Sequence, residues 1–150
     1  MKTSETQLGR VFILRLEDGE RLPAAIEAFA QERGVSHGLV ALIGALGPGA
    51  LVAGPADPQA RPVPVIIDPV TAIHDAVALG LIVPGEDGQP MLHMHGVLGR
   101  GTDTLAGCLR PGMDVWQVAE AVLIELTGSK AFRRFDPETG FGLLEPAPED

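Results

Sequence analysis

The residues with the clearest chemistry are two histidines in the segment His93-Met94-His95 and the only cysteine of the chain, Cys108. Side chains of an extended strand alternate between its two faces, so the two histidines share one face. A second strand is predicted after Gly101, which stands at the first central position of a possible two-residue type II′ turn. The sequence therefore predicts a β-hairpin that carries both histidines and the cysteine.

Pairing about that turn places His95 opposite Cys108 and His93 opposite Arg110, and a slip of one residue would move Cys108 to the other face. Directly opposed Cβ atoms lie about 5 Å apart, so one ion can contact all three side chains. Imidazole and thiolate suit Zn²⁺, and three protein ligands leave a fourth position for water, an anion or a neighbouring subunit. A plainer interpretation stays open, because histidines often bind backbone carbonyls and a lone cysteine often packs as a small apolar side chain.

The composition indicates one packed domain. The chain has 150 residues, of which 45% are hydrophobic, and this excludes wholesale disorder. One cysteine allows no intrachain disulfide and fits a reducing compartment. The first fifteen residues lack the apolar run of a signal peptide, and no apolar run reaches the ~18 residues of a membrane span. We therefore expect a cytoplasmic protein with no membrane partner.

The formal net charge of −9 disfavours direct binding to nucleic acid. Such binding draws much of its affinity from basic side chains that neutralise phosphates. The eleven lysines and arginines are scattered along the chain. The nearest approach to a cluster, Lys130, Arg133 and Arg134, is interpreted as a solvated loop or strand end.

Hydrophobic periodicity and turn residues give a mostly β pattern with one helix. The helix is predicted over 22–33, with Gly34 in the left-handed conformation that ends a helix. A turn is predicted at Gly47-Pro48-Gly49 and a loop over 54–64. Residues 1–9 and 146–150 are expected to be flexible tails. Strands are predicted at 10–16, 35–46 (one strand or a pair), 50–53, 65–67 and 70–83, and a terminal hairpin at 131–144.

Residues 115–126 fit a helix and a strand equally well. In the strand interpretation Glu120 is a carboxylate among apolar neighbours and needs a partner, for which a metal-bound water or a metal-site histidine would serve. In the helical interpretation Glu120 is simply exposed.

Several segments, in this order, resemble the motifs of the plant-and-prokaryote conserved domain, the PPC domain. The resemblance covers nearly the whole chain and implies one α+β domain over 1–150. In that domain a curved, mainly antiparallel sheet packs with one main helix, and the chains associate as a homotrimer. The segments are 15–20, 29–34, 43–46, Leu92-His93-Met94-His95, Ala106-Gly107-Cys108-Leu109 with Pro111-Gly112, and 120–126.

The resemblance also implies a zinc site. Prokaryotic members bind zinc through an H-x-H segment and a further histidine in a G-G-H-L segment, and these positions correspond to His93, His95 and Cys108. The chain departs from the pattern at Cys108. Because thiolate is itself a good zinc ligand, this departure keeps the metal chemistry and makes the site softer and more selective for zinc.

Three roles follow from the resemblance. Plant relatives carry the domain beside an AT-hook, which is the source of a DNA-associated or regulatory label, but this chain has no Arg-Gly-Arg hook. The fold also resembles that of α-acetolactate decarboxylase, which implies a small metalloenzyme acting on a carbonyl or carboxylate substrate. In it Arg110 would orient a small anionic ligand and Glu120 would move a proton. In the third role the metal is a structural clip within the trimer.

Overall fold

The computed structural model describes residues 1–146. This part of the chain forms ten strands and one helix. In chain order they are β1 (Gln7–Glu17), β2 (Arg21–Leu22), α1 (Ala24–Arg33), β3 (Gly38–Pro55), β4 (Val65–Val70), β5 (His74–Pro84), β6 (Pro90–Arg100), β7 (Asp103–Cys108), β8 (Met113–Thr127), β9 (Phe132–Asp136) and β10 (Phe141–Glu145).

The main sheet is antiparallel and curls back on itself. Its strands lie in the order β1-β8-β3-β5-β6-β7, with β2 beside β8 and β4 beside β3. The first half of β3 lies between β8 and β5, whereas its second half pairs with β4 and also meets β7, where Val52 lies opposite Cys108. This curvature closes the sheet next to the cysteine. Strands β9 and β10 form a separate two-stranded hairpin.

The core lies between the helix and one face of the sheet. Ile26 and Ala30 of α1 are fully buried and belong to the same apolar cluster as Leu42 of β3, Met94 of β6 and Leu123 of β8. Burying an aliphatic side chain of this size contributes roughly 1.5–3 kcal/mol. Because strand residues alternate, the opposite face of the same strands points away from the core. That second face carries both histidines of the predicted metal site.

The predicted helix is confirmed, with a later start. Leu22 belongs to β2, where it pairs with Met113, so the helix begins at Ala24. Its end is as predicted: Gly34 has φ 65°, and the next amide, that of Val35, donates to the carbonyl of Ala30 at 2.8 Å. The single helix of residues 1–146 is too short and too polar to cross a bilayer.

The predicted turn at residues 47–49 is wrong. Strand β3 runs through this segment without reversing, although its register with β8 shifts on both sides of Leu46. Gly47 has φ 125°, and a Cβ there would lie 2.4 Å from the carbonyl oxygen of Ala72. Glycine thus allows an irregular strand to pass close to its neighbour. Local turn chemistry predicted a reversal here, and pairing to strands on both sides prevents it.

The structure shows that the ambiguous segment is a strand, and it tests most of the remaining predictions. Residues 115–126 lie within strand β8, and the terminal hairpin is formed by β9 and β10. The predicted flexible start is partly wrong, because β1 begins at Gln7. The predicted tail at 146–150 lies, apart from Pro146, outside the described residues.

A bidentate ion pair joins β1 to β8. Arg10 Nε donates to Glu125 Oε2 at 2.6 Å and Nη2 donates to Oε1 at 2.7 Å. These hydrogen bonds, together with one from the Arg10 amide, lower the pKa of Glu125 from 4.5 to about 2. Because unfolding restores the ordinary pKa, the pair stabilises the fold above pH 4.5 and loses its contribution as the pH falls from 4.5 toward about 2.

Glu125→Gln is therefore expected to lower the melting midpoint by a few degrees at neutral pH, and by progressively less below pH 4.5. Thermal unfolding followed by circular dichroism across that range measures the difference. Glu32→Gln is the matched control, because Glu32 is exposed and lies 3.8 Å from Arg33 in a weak pair. An equal loss for Glu125→Gln at every pH would contradict the assignment.

Candidate metal centre

The β6–β7 hairpin has the predicted register. Val97 lies opposite Ala106, and His95 lies opposite Cys108. The pairing extends one bond past the end of β7, where the amide of Leu109 donates to the carbonyl of Met94 at 2.9 Å. The alternation is also as predicted, because Met94 is buried while His95 is exposed on the other face.

The three predicted ligands lie together. One ligand atom from each of His93, His95 and Cys108 lies within 4.8 Å of the other two. The two Nε2 atoms are 3.1 Å apart. Two nitrogens on one tetrahedral zinc at 2.0–2.1 Å would lie about 3.3–3.4 Å apart, so small side-chain rotations bring this set around an ion. The donor set, two imidazoles and one sulfur, fits a soft divalent metal.

The environment keeps His93 neutral. Burial, followed by the positive charges of Arg133, His95 and Arg110, lowers the pKa of His93 to about 4. At neutral pH this imidazole is therefore uncharged, so a metal does not have to displace the second ring proton of an imidazolium. A neutral imidazole is the form that binds a metal.

The neighbouring glycine explains how Cys108 is positioned. A Cβ on Gly107 would lie 2.5 Å from the carbonyl oxygen of Val52, which is too close for any other residue without displacing β3. Gly107 therefore allows β7 to approach β3 closely at the point where Cys108 lies opposite Val52. Cys108 is buried between β6 and β3, with His95 directly across from it.

A cavity of about 190 Å³ adjoins His93. Glu27 of the helix lines one side, but its carboxylate already accepts the amide of Leu92 at 2.7 Å. Arg110 lines the cavity beside His93, as the predicted register implied. The lining residues are Pro23, Glu27, Met91, Leu92, His93, Arg110 and Arg133.

Arg133 was not predicted at this site, and the interpretation of Arg133 as a solvated residue is wrong. The side chain is buried, with 6% of its surface exposed, and it reaches the cavity from β9. Burial and the charge of Arg110 lower the pKa of Arg133, and the nearby Cys108 opposes this shift. The sequence signal was the alternation in Phe132–Asp136, which turns Arg133 and Arg134 to opposite faces.

The structure does not bring Glu120 to this centre within one chain. Glu120 lies opposite Arg15 and Ile43, and it is exposed. Strand β8 is three strand spacings of about 4.8 Å each from β6, so the carboxylate is roughly 14 Å away from the histidine strand. The strand interpretation of residues 115–126 was right, but Glu120 faces away from the core and needs no buried partner.

The two remaining histidines contact backbone carbonyl oxygens, as histidines outside metal sites often do. His74 Nδ1 lies 2.8 Å from the carbonyl oxygen of Ala72, which is the carbonyl contact expected for it. His37 Nε2 lies 2.7 Å from the carbonyl oxygen of Ala131. Both are buried. Within residues 1–146 the histidine and cysteine ligands therefore converge at one place.

Comparison with known protein families gives the class of protein. The family model of the Plants and Prokaryotes Conserved (PCC) domain, here called the PPC domain, matches residues 3–127. The chain belongs to this family. No protein of curated function matches the sequence.

Solved structures of similar fold come from archaea and bacteria. A plant- and prokaryote-conserved protein from Pyrococcus horikoshii has 25% identity and a TM-score of 0.85, covering 99% of this chain and 100% of its own. A metal-containing protein from Archaeoglobus fulgidus has 26% identity and a TM-score of 0.83, covering 95% and 98%. A candidate DNA-binding protein from Bacteroides thetaiotaomicron shares the fold at 21% identity, with a TM-score of 0.76 and coverage of 93% and 96%.

Proposed function

We propose that this protein is a zinc-binding homotrimer of the PPC family whose metal keeps an open position for a small anionic ligand. The observation that carries the proposal is the cluster of His93, His95 and Cys108, whose ligand atoms lie within 4.8 Å of one another. The similarity to a metal-containing protein from Archaeoglobus fulgidus supports it. Zinc is the metal that best suits two imidazoles and a thiolate.

Three protein ligands leave one tetrahedral position free, and a zinc bound in this way acts as a Lewis acid or lowers the pKa of bound water. Residues of the chain define what can approach that position. Arg110 and Arg133 supply positive charge at the adjoining cavity, and Pro23 and Met91 supply apolar surface. The arrangement favours a small anion over a cation or a large ligand.

The outer face of the sheet supports self-association. Exposed apolar side chains extend across β1, β3, β5, β6 and β8, with Ile13 86% and Val77 64% exposed. Apolar patches that span several strands mark surfaces that another molecule covers. His95 lies in this face directly opposite Leu79, so a second copy of the chain seated here would also cover the metal centre. The trimer implied by the family gives that face its partner.

Direct DNA binding, which is described for some relatives, is poorly supported for this chain. Proteins described as candidate DNA-binding proteins share the fold at 21% and 18% identity. The net charge of −9 opposes contact with phosphates. We propose a regulatory role without direct contact to duplex DNA, in the cytoplasm. A salt-sensitive mobility shift on duplex DNA would overturn this part of the proposal.

An enzymatic role is the second candidate, and the cavity with its two arginines favours it. In this role Arg110, which lines the same cavity as His93, would orient a carboxylate or carbonyl substrate. Glu120 can take part only if another copy of the chain brings its own Glu120 to this face. A purely structural clip is the third candidate, in which removing the metal would lower the melting temperature or dissociate the trimer.

X-ray absorption spectroscopy at the zinc edge of the zinc-loaded protein tests the proposed centre. We expect one sulfur at about 2.3 Å and three nitrogen or oxygen donors at about 2.0–2.1 Å, one of them displaced by added azide or carboxylate. A shell that contains no sulfur would exclude Cys108 as a ligand. A shell that no added anion alters would favour the structural clip over the open site.

A further inference from the structure

We propose that the cavity beside the metal centre is a binding site for short monocarboxylates, with the guanidinium of Arg133 as its principal donor and Arg110 at its side. This inference rests on the proposed metal centre, which forms one end of the same site. It adds a ligand class and a residue on β9 that the family motifs do not contain. The carboxylate lies between the two arginines, and the hydrocarbon chain lies against Pro23 and Met91.

The first observation is an unmet hydrogen bond. Arg133 is 94% buried, since only 6% of its surface is exposed. Its Nη1 donates to the carbonyl of Gly142 at 3.3 Å, whereas its Nε has no hydrogen-bond acceptor among the described residues. A buried charged donor without an acceptor is costly, and an ordered water, an ion or a ligand can supply the acceptor. Arg133 also lines the cavity, and because its Nε is enclosed by the protein, a ligand there would bind the Nη end of the guanidinium.

The second observation is uncompensated charge. Within residues 1–146 neither Arg110 nor Arg133 forms an ion pair with a carboxylate. Glu27, the acidic residue of the lining, accepts the amide of Leu92 and keeps its charge, which offsets one of the two arginines. A zinc ion adds more positive charge than a Cys108 thiolate removes. The remaining positive charge favours an anion, and guanidinium groups bind the planar, two-oxygen carboxylate through paired hydrogen bonds.

The third observation is size and polarity. A cavity of about 190 Å³ has room for several water molecules and so for a small carboxylate such as butyrate. Pro23, Met91 and Leu92 give the cavity an apolar part of its lining, which suits a hydrocarbon chain. Inorganic phosphate would satisfy the arginines but leave this apolar lining in contact with water. A dicarboxylate would place its second charge near the same lining and near Glu27.

Isothermal titration calorimetry of the zinc-loaded native protein tests the site, with butyrate, butyramide and inorganic phosphate as probes. We expect butyrate to bind most tightly, since butyramide has the same shape without the charge and phosphate has the charge without the chain. Arg133→Met is expected to raise the Kd for butyrate about tenfold or more. The matched control is Arg134→Met, because Arg134 is the adjacent residue, is exposed, and lies 3.9 Å from Glu86. That control is expected to keep the native Kd.

Equal affinity for butyrate and butyramide, or tighter binding of phosphate, would overturn the ligand class. An unchanged Kd in Arg133→Met would overturn the role of Arg133. If Arg133→Met fails to fold, Arg133→Lys keeps the charge without the paired donors, and a native Kd in that variant would equally overturn it. Zinc is measured on the same samples. Zinc binding without butyrate binding overturns this inference alone, whereas Arg133-dependent butyrate binding in a protein that holds no zinc supports this site and overturns the metal centre.

Discussion

Replacing Cys108 with serine is expected to weaken zinc binding by about a hundredfold or more. The substitution keeps the size of the side chain but replaces a thiolate with a hydroxyl, which is a poor zinc ligand at neutral pH. His95→Ala is expected to have a similar effect, because it removes one of the two imidazoles whose Nε2 atoms lie 3.1 Å apart. Competition with a chromophoric chelator measures both affinities.

The control for these variants is His74→Gln. His74 is buried and bonded to the carbonyl oxygen of Ala72, and it lies outside the ligand cluster. Glutamine keeps a donor at that position, so zinc affinity is expected to stay at the native value. Zinc affinity that survives Cys108→Ser would contradict the three-ligand site and leave Cys108 as a packed apolar side chain.

Val77→Lys is expected to convert the proposed trimer to monomers. Val77 lies at the centre of the exposed apolar face, between Ile43 on one neighbouring strand and Val97 on the other, and all three side chains are more than half exposed. In an assembled trimer a lysine there would bury an unpaired charge, which costs several kcal/mol. Light scattering coupled to size-exclusion chromatography gives the mass of native protein and variant.

Ala28→Lys controls for the added charge, because Ala28 is exposed on the helix and the helix covers the opposite face of the sheet. This control is expected to keep the native mass. A monomeric native protein, or a Val77→Lys variant that remains trimeric, would show that the apolar face is not the interface. If zinc binding is intact in monomeric Val77→Lys, the metal centre is complete within one chain.

Sequence reasoning succeeded where local rules decide the structure. A two-residue turn at Gly101-Thr102 fixed the hairpin register, and strand alternation then placed His93 and His95 on the face of Cys108. Gly34 ended the helix in the left-handed conformation for the same local reason. These predictions needed no knowledge of contacts between distant segments.

The predictions from sequence failed where contacts between distant segments determine the structure. The burial of Arg133 depends on how the terminal hairpin packs against the main sheet, whereas strand alternation shows only that Arg133 and Arg134 point to opposite faces. The distance of Glu120 from the histidines depends on the order of strands, which places β3 and β5 between them. Strand β3 continues past Gly47 because it has neighbours on both sides, although Gly47-Pro48-Gly49 is typical of a turn.

The central claim is that this chain binds one zinc ion through His93, His95 and Cys108. Elemental analysis of native protein, purified without added metal and then reconstituted with zinc and freed of excess, tests it most directly. We expect about one zinc per chain, the stoichiometry of a single three-ligand site. Protein that holds no zinc even after reconstitution would contradict the claim, and the paired histidines would then be ordinary residues of an exposed sheet face.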